Sequence, residues 1–178
     1  MIRSVTPAVA HFLRDESGTA TVEFVLVMPL YVAMLMMSIE LGFVTLRATL
    51  LERGLDMAVR DIRLGTGTAP QHDAIKAIVC KNALMIRDCN QNLRLEMRPV
   101  DIRAYASLGT AADCTDTAVP AKPVREFTAG QQNQLMVLRA CLKYDPLFPS
   151  AVLGSALTKD ANGQVAITSM TAFVQEPI

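Results

Sequence analysis

Apolar residues crowd into one continuous stretch near the start of this chain. From Phe24 to Ile39 only Pro29, Tyr31 and Ser38 interrupt them, and after Glu40 the run continues from Leu41 to Leu46. A helix of these 23 residues is roughly 35 Å long, enough for a hydrocarbon layer about 30 Å thick. The pattern therefore predicts a membrane-inserted helix, bent at Pro29 where a backbone hydrogen bond is lost. The run is too long for the apolar part of a cleaved secretory signal, and the small residues lie before it instead of after it. Beyond Leu46 the pattern becomes amphipathic. Leu51, Leu55, Val59 and Ile62 recur at spacings of three and four, while Arg53, Asp56, Arg60 and Asp61 fall mostly elsewhere, so one helix over 17–64 leaves the bilayer carrying a single oily stripe. Gly65, Thr66, Gly67, Thr68 and Pro70 stop it.

The remainder reads as a small domain that needs such a stripe. Ile75, Val79, Ala83 and Ile86 line one face of a second helix over 71–87. Leu93, Leu95 and Met97 alternate with Arg94, Glu96 and Arg98 as in a half-exposed strand, and after Pro99 the residues Val100, Ile102 and Ala104 resume in the opposite phase, suggesting a bulge or an edge. Residues 106–130 form a long loop rich in Ala, Thr, Gly and Pro. A strand over Leu135 to Tyr144 places Met136, Leu138, Ala140, Leu142 and Tyr144 on one face, with Arg139, Cys141 and Lys143 on the other. A last strand over Gln164 to Val174 follows the Ala161-Asn162-Gly163 turn. The expected class is α+β: a long N-terminal membrane-spanning helix that continues into an amphipathic stalk, packed on a small antiparallel sheet with one additional helix.

Charge changes this picture at one point above all. Glu23 stands at the edge of the apolar run, where a carboxylate costs on the order of 2.5–3.5 kcal/mol to insert unless it is neutralised, drawn to the interface or paired. It is either a boundary marker or a functional acid. The 178-residue chain has zero net charge and 19% charged residues, which argues against nucleic acid as a partner. Four cysteines, Cys80, Cys89, Cys114 and Cys141, all follow the membrane segment. In an oxidising compartment they suit two disulfides, which would staple a domain with a small core. Three pairings are possible; Cys80 with Cys89 and Cys114 with Cys141 is favoured, since the first pair closes a helix end onto the start of a strand. The absence of any CxxC and of imidazoles beyond His72 nearby speaks against a zinc site. His11 and His72 are the two histidines, no Gly-rich phosphate loop is present, and downstream carboxylates alternate with basic residues. These features suggest neither a catalytic residue nor a cofactor, and the chain is expected not to be an enzyme.

The string Arg14-Asp15-Glu16-Ser17-Gly18, followed by Thr19-Ala20-Thr21-Val22-Glu23-Phe24, resembles the processing site of type IV pilin-like precursors: a polar leader ending in Gly, with Glu as the fifth residue after it. Phe24, Pro29 and the ending Phe173-Val174-Gln175-Glu176-Pro177 resemble the TadE-like minor pilins of the tight-adherence (Flp) pilus system. The resemblance implies cleavage between Gly18 and Thr19 by a prepilin peptidase, and thus a leader over 1–18, a transmembrane and stalk helix over 19–64 and a periplasmic α+β domain over 65–178. It implies a register role in assembly for Glu23 with Phe24. It also implies as partners the peptidase, other pilin-like subunits meeting the N-terminal helix, the inner-membrane pilus assembly machinery and the lipid bilayer. The amino terminus would be cytoplasmic, and the subunit would enter an extracellular pilus or help to build it. The alternative is an uncleaved single-span anchor for a periplasmic binding or chaperone module. The basic residues on the two sides of the segment, Arg3 and Arg14 before and Arg47, Arg53, Arg60 and Arg63 after, do not orient it.

Overall fold

A computed structural model describes residues 19–64, 71–84, 86–101, 103, 112, 114 and 127–176 of the chain. Its first element, α1 (Thr19–Arg63), is a single 45-residue helix that continues through Pro29. Two shorter helices follow, α2 (His72–Asn82) and α3 (Cys89–Asn92), then strand β1 (Leu93–Pro99), strand β2 (Leu135–Tyr144), a short helix α4 (Val152–Ala156) and strand β3 (Val165–Val174). The sheet is antiparallel in the order β1-β2-β3, so the architecture is α+β, a long apolar helix packed on a three-stranded sheet.

Register decides which residues make the core. Leu93, Leu95 and Met97 of β1 stand opposite Leu142, Ala140 and Leu138 of β2, which in turn face Ile167, Ser169 and Thr171 of β3. This inner face meets the oily stripe of α1: Leu51, Leu55, Ala58, Val59 and Ile62 are all buried, and Ile75 and Val79 of α2 close one side of the same cluster. Burying one Leu or Ile contributes about 1.5–3 kcal/mol, so the part of α1 beyond residue 50 is held by its packing on the sheet and α2, not by its own propensity. Gly54 sets how closely α1 and α2 approach. A Cβ there would sit 2.7 Å from the Val79 carbonyl oxygen and 3.2 Å from the Ala83 Cβ, so only glycine allows the crossing.

Some elements differ from the pattern-based reading. The second helix ends at Asn82, with Ala83 as its C-cap, and the chain turns before the one-turn helix α3, which is too short to show a period. Whether the alternation resumes beyond Pro99 rests on residues outside those described. β1 ends at Pro99, and Val100 donates its N–H to the Leu135 carbonyl at 2.9 Å; Ile102, Ala104 and most of the 106–130 loop lie outside the described residues. Phe127 does return, forming a parallel bridge to Met97, and its ring meets His72 edge-on at 5.2 Å. His72 is the first residue of α2 and lies 2.8 Å from the Asp73 carboxylate.

The outer face of the sheet is polar and tied down. Arg139 lies 3.7 Å from Glu96 across the β1–β2 pair. Lys143, though buried, reaches Asp160 at 2.6 Å. The other Asp160 oxygen accepts the N–H groups of Asn162 and Gln164, holding the turn that launches β3. The Lys143 ammonium beside it keeps the Asp160 carboxyl below the usual carboxylate range. Disulfides join Cys80 to Cys89, closing the end of α2 onto α3, and Cys114 to Cys141, fastening the long connection to the outer face of β2.

Candidate functional site

Helix α1 has two regimes, an open first part and a last part with one face buried from Leu51 on, and Glu40 is the first buried residue along it. Through Ile39 its large apolar side chains are open, Val22, Phe24, Leu26, Leu30 and Met34 among them. The stretch is long and apolar enough to cross a membrane, with a mean hydropathy of 2.1 over its most apolar part and no residue buried there. The next residue, Glu40, is fully buried, at 0% exposure. From Ala20 to Ile39 is 20 residues, about 30 Å of helix and close to one hydrocarbon thickness. The apolar run of 24–46 therefore divides at Glu40: beyond it one side of the helix begins to meet the domain, while Leu41, Phe43 and Leu46 stay exposed on the other.

Glu40 is buried by the segment that follows β2. The backbone N–H of Phe148 donates to one carboxylate oxygen at 2.8 Å and that of Leu147 to the other at 3.2 Å. Prolines flank the pair, Pro146 and Pro149, fixing φ on either side. Helix α4 then packs so closely that a Cβ on Gly154 would overlap the Phe148 carbonyl. The carboxylate thus acts as a two-pronged acceptor that fastens the domain's foot to the anchor helix. Two turns on, the Arg47 guanidinium lies over the Tyr144 ring at 4.5 Å and near the Phe43 ring at 5.8 Å, a stacked cation of the kind arginine favours. Burial raises the Tyr144 phenol above its ordinary value, opposed by Arg47 and reinforced by Glu40.

At the other end of the anchor, Thr19 opens α1, and Glu23 and Phe24 lie exposed on its first turns. Among the described residues nothing pairs with the Glu23 carboxylate. Gly18 lies outside the described residues. Glu23 and Glu40 are 17 positions apart, so the structure does not bring the two acids of the apolar run together. The role of Glu40 was invisible in the pattern because its partners are backbone groups more than 100 residues away. The one available signal was a second acid set inside an apolar run. Among the described residues no group of three or more His, Cys, Asp and Glu is placed to hold a metal.

An apolar helix of membrane-spanning length that continues into a small α+β domain is compatible with a class: single-span proteins whose domain is clamped onto the continuation of the apolar helix. Within that class, residues 18–60 match the model of the family described as TadE-like protein. The match runs from the glycine before α1 to the last turn of that helix, so the likeness is confined to this helix and the sheet lies outside it. No curated protein matches the chain, and no solved structure matches it.

Proposed function

We propose that the chain is a minor pilin, or pseudopilin, of TadE-like type, cut after Gly18 by a prepilin peptidase and acting in the assembly of a tight-adherence pilus. One observation carries the reading: Gly18 immediately precedes α1, Glu23 is the fifth residue after it, and both fall within the 18–60 segment that matches the TadE-like family. The role is structural, not catalytic. Cleavage frees an α-amino group at Thr19 that is cationic at neutral pH. Beside a bilayer this charge neutralises the Glu23 carboxylate of the same or a neighbouring subunit and so sets the axial register of packed helices. Phe24, the small residues Ala33, Ser38 and Gly42, and the adaptable Met34, Met36 and Met37 lie on the same helix and suit lateral packing against other pilin-like subunits. The amino terminus is cytoplasmic and the disulfide-bonded domain periplasmic, presented to the inner-membrane assembly machinery.

Mass spectrometry of the membrane-extracted protein, from cells whose processing enzyme is active, tests this directly. A new amino terminus at Thr19 is expected; an intact Met1 would remove the pilin reading and leave an uncut anchored module. Co-purification with other pilin-like proteins then separates processing from assembly. Gly18→Asp should block the cut, whereas Glu23→Ala should be cut and inserted normally yet fail to co-assemble.

A further inference from the structure

Just above the Glu40 clamp, α1 and the domain do not meet along their whole width. A cleft of about 600 Å³ opens between Phe43, Leu46 and Leu50 of α1 and the end of β2 at Tyr144 and Asp145, a size within the range of small-molecule sites. The connection between α2 and α3 supplies its far wall through Arg87 and Asp88. Arg47 enters it from α1. Among the described residues, one guanidinium nitrogen, Nη1, is buried without a hydrogen-bond partner, and so is the hydroxyl of Tyr144, on whose ring that guanidinium stacks. A buried charged donor left unpaired is costly, and an acceptor delivered by a ligand relieves that cost. Asp88 is the N-cap of α3 yet its side chain makes no capping bond, so its carboxylate is not committed to the helix. The wall therefore carries two cations and two anions, Arg47 and Arg87 with Asp88 and Asp145, over an apolar floor.

Height fixes what such a cleft meets. If Ile39 ends the hydrocarbon layer, Phe43 stands about 6 Å beyond it and Arg47 about 12 Å, at 1.5 Å per residue. Side chains on a helix lean toward its N-terminus, which here means toward the bilayer, and the contact of Arg47 with Phe43 agrees with that lean. The guanidinium accordingly lies in the headgroup zone. Its planar fork suits a phosphate, and the two aspartates select against a second negative charge and for an amine.

We propose that this cleft holds the headgroup of a zwitterionic, amine-bearing phospholipid, its phosphate on Arg47 and Arg87, its ammonium facing Asp88 and Asp145, and its glycerol end against Phe43, Leu46 and Leu147. The assignment rests on the membrane-anchor reading of α1. The test is native mass spectrometry of the full chain released from detergent micelles after addition of phosphatidylethanolamine, phosphatidylglycerol or inorganic phosphate. The wild type should retain one phosphatidylethanolamine and little phosphatidylglycerol. Arg47→Gln and Arg87→Gln should each lower retention about tenfold, the effect of one lost charge-assisted contact. Arg87 is exposed, so its variant reports on the site even if Arg47→Gln impairs folding. Equal retention of the two lipids, retention unchanged in Arg87→Gln, or phosphate binding as strong as lipid binding would each overturn the proposal. Flotation of the same preparations with vesicles keeps the two claims apart. A chain that fails to float removes the anchor and the lipid site together, while one that floats but retains no lipid removes only the site.

Discussion

Replacing Glu40 with Ala removes the acceptor for two backbone donors at once, and the cost follows from their surroundings. A hydrogen bond to a charged group contributes about 1.5–3 kcal/mol, and a buried donor left without a partner costs about 1–3 kcal/mol. The Phe148 N–H, 2.8 Å from the carboxylate and with its side chain half-buried, stands at the upper end. The Leu147 N–H, at 3.2 Å on an exposed residue, regains water and stands at the lower end. Together they give a loss of about 2–4 kcal/mol, which for a domain of this size lowers the melting temperature by roughly 10 °C. Glu40→Gln is a sharper probe: it keeps the shape and one oxygen but turns an amide donor toward the second N–H, so it should recover no more than half of the loss. The assay is thermal unfolding of the full chain in detergent, with limited proteolysis of the 145–151 segment as a local readout. Should Glu40→Ala melt within about 2 °C of the wild type with that segment still protected, the clamp is not what joins anchor and domain.

Three further outcomes follow from the packing. Gly54→Ala sets a helix-propensity gain of up to about 1 kcal/mol against an overpacking cost of about 1–3 kcal/mol; because the obstructing atom is the backbone oxygen of Val79, the variant should melt lower than wild type, and a higher melting temperature would contradict the close crossing. Loss of the Cys114–Cys141 bridge, whose partners are 27 positions apart, should cost roughly 3.5 kcal/mol against roughly 2.5 for Cys80–Cys89 at a separation of 9; urea unfolding of the two double Cys→Ser variants checks the order. Because the folded-state pKa of Asp160 is depressed, the stability it contributes is present above its unfolded value and lost as pH falls through the folded value. Asp160→Asn should therefore flatten the acid limb of the stability curve below about pH 4, and an unaltered limb would count against the Lys143–Asp160 pair.

Local periodicity carried much of this protein in its sequence. The apolar run, the stripe of Leu51, Leu55, Val59 and Ile62, and the alternation at 93–97 and 135–144 each depend on neighbours a few positions away, so the residues alone show which face must be buried, while the strand at 164–174 is marked by the turn before it. The α3 and α4 helices, of four and five residues, are too short to carry such a period. What the residues alone leave open is the partner across space. Glu40 looks like an intruder in a membrane helix until Leu147 and Phe148 arrive from 107 and 108 positions away to accept it into the protein. The cleft beside Arg47 likewise exists only because α1, the end of β2 and the α2–α3 connection converge there. Amphipathic pattern is written along one segment, whereas the fate of a buried charge depends on which distant backbone comes to meet it, and only the tertiary fold decides that.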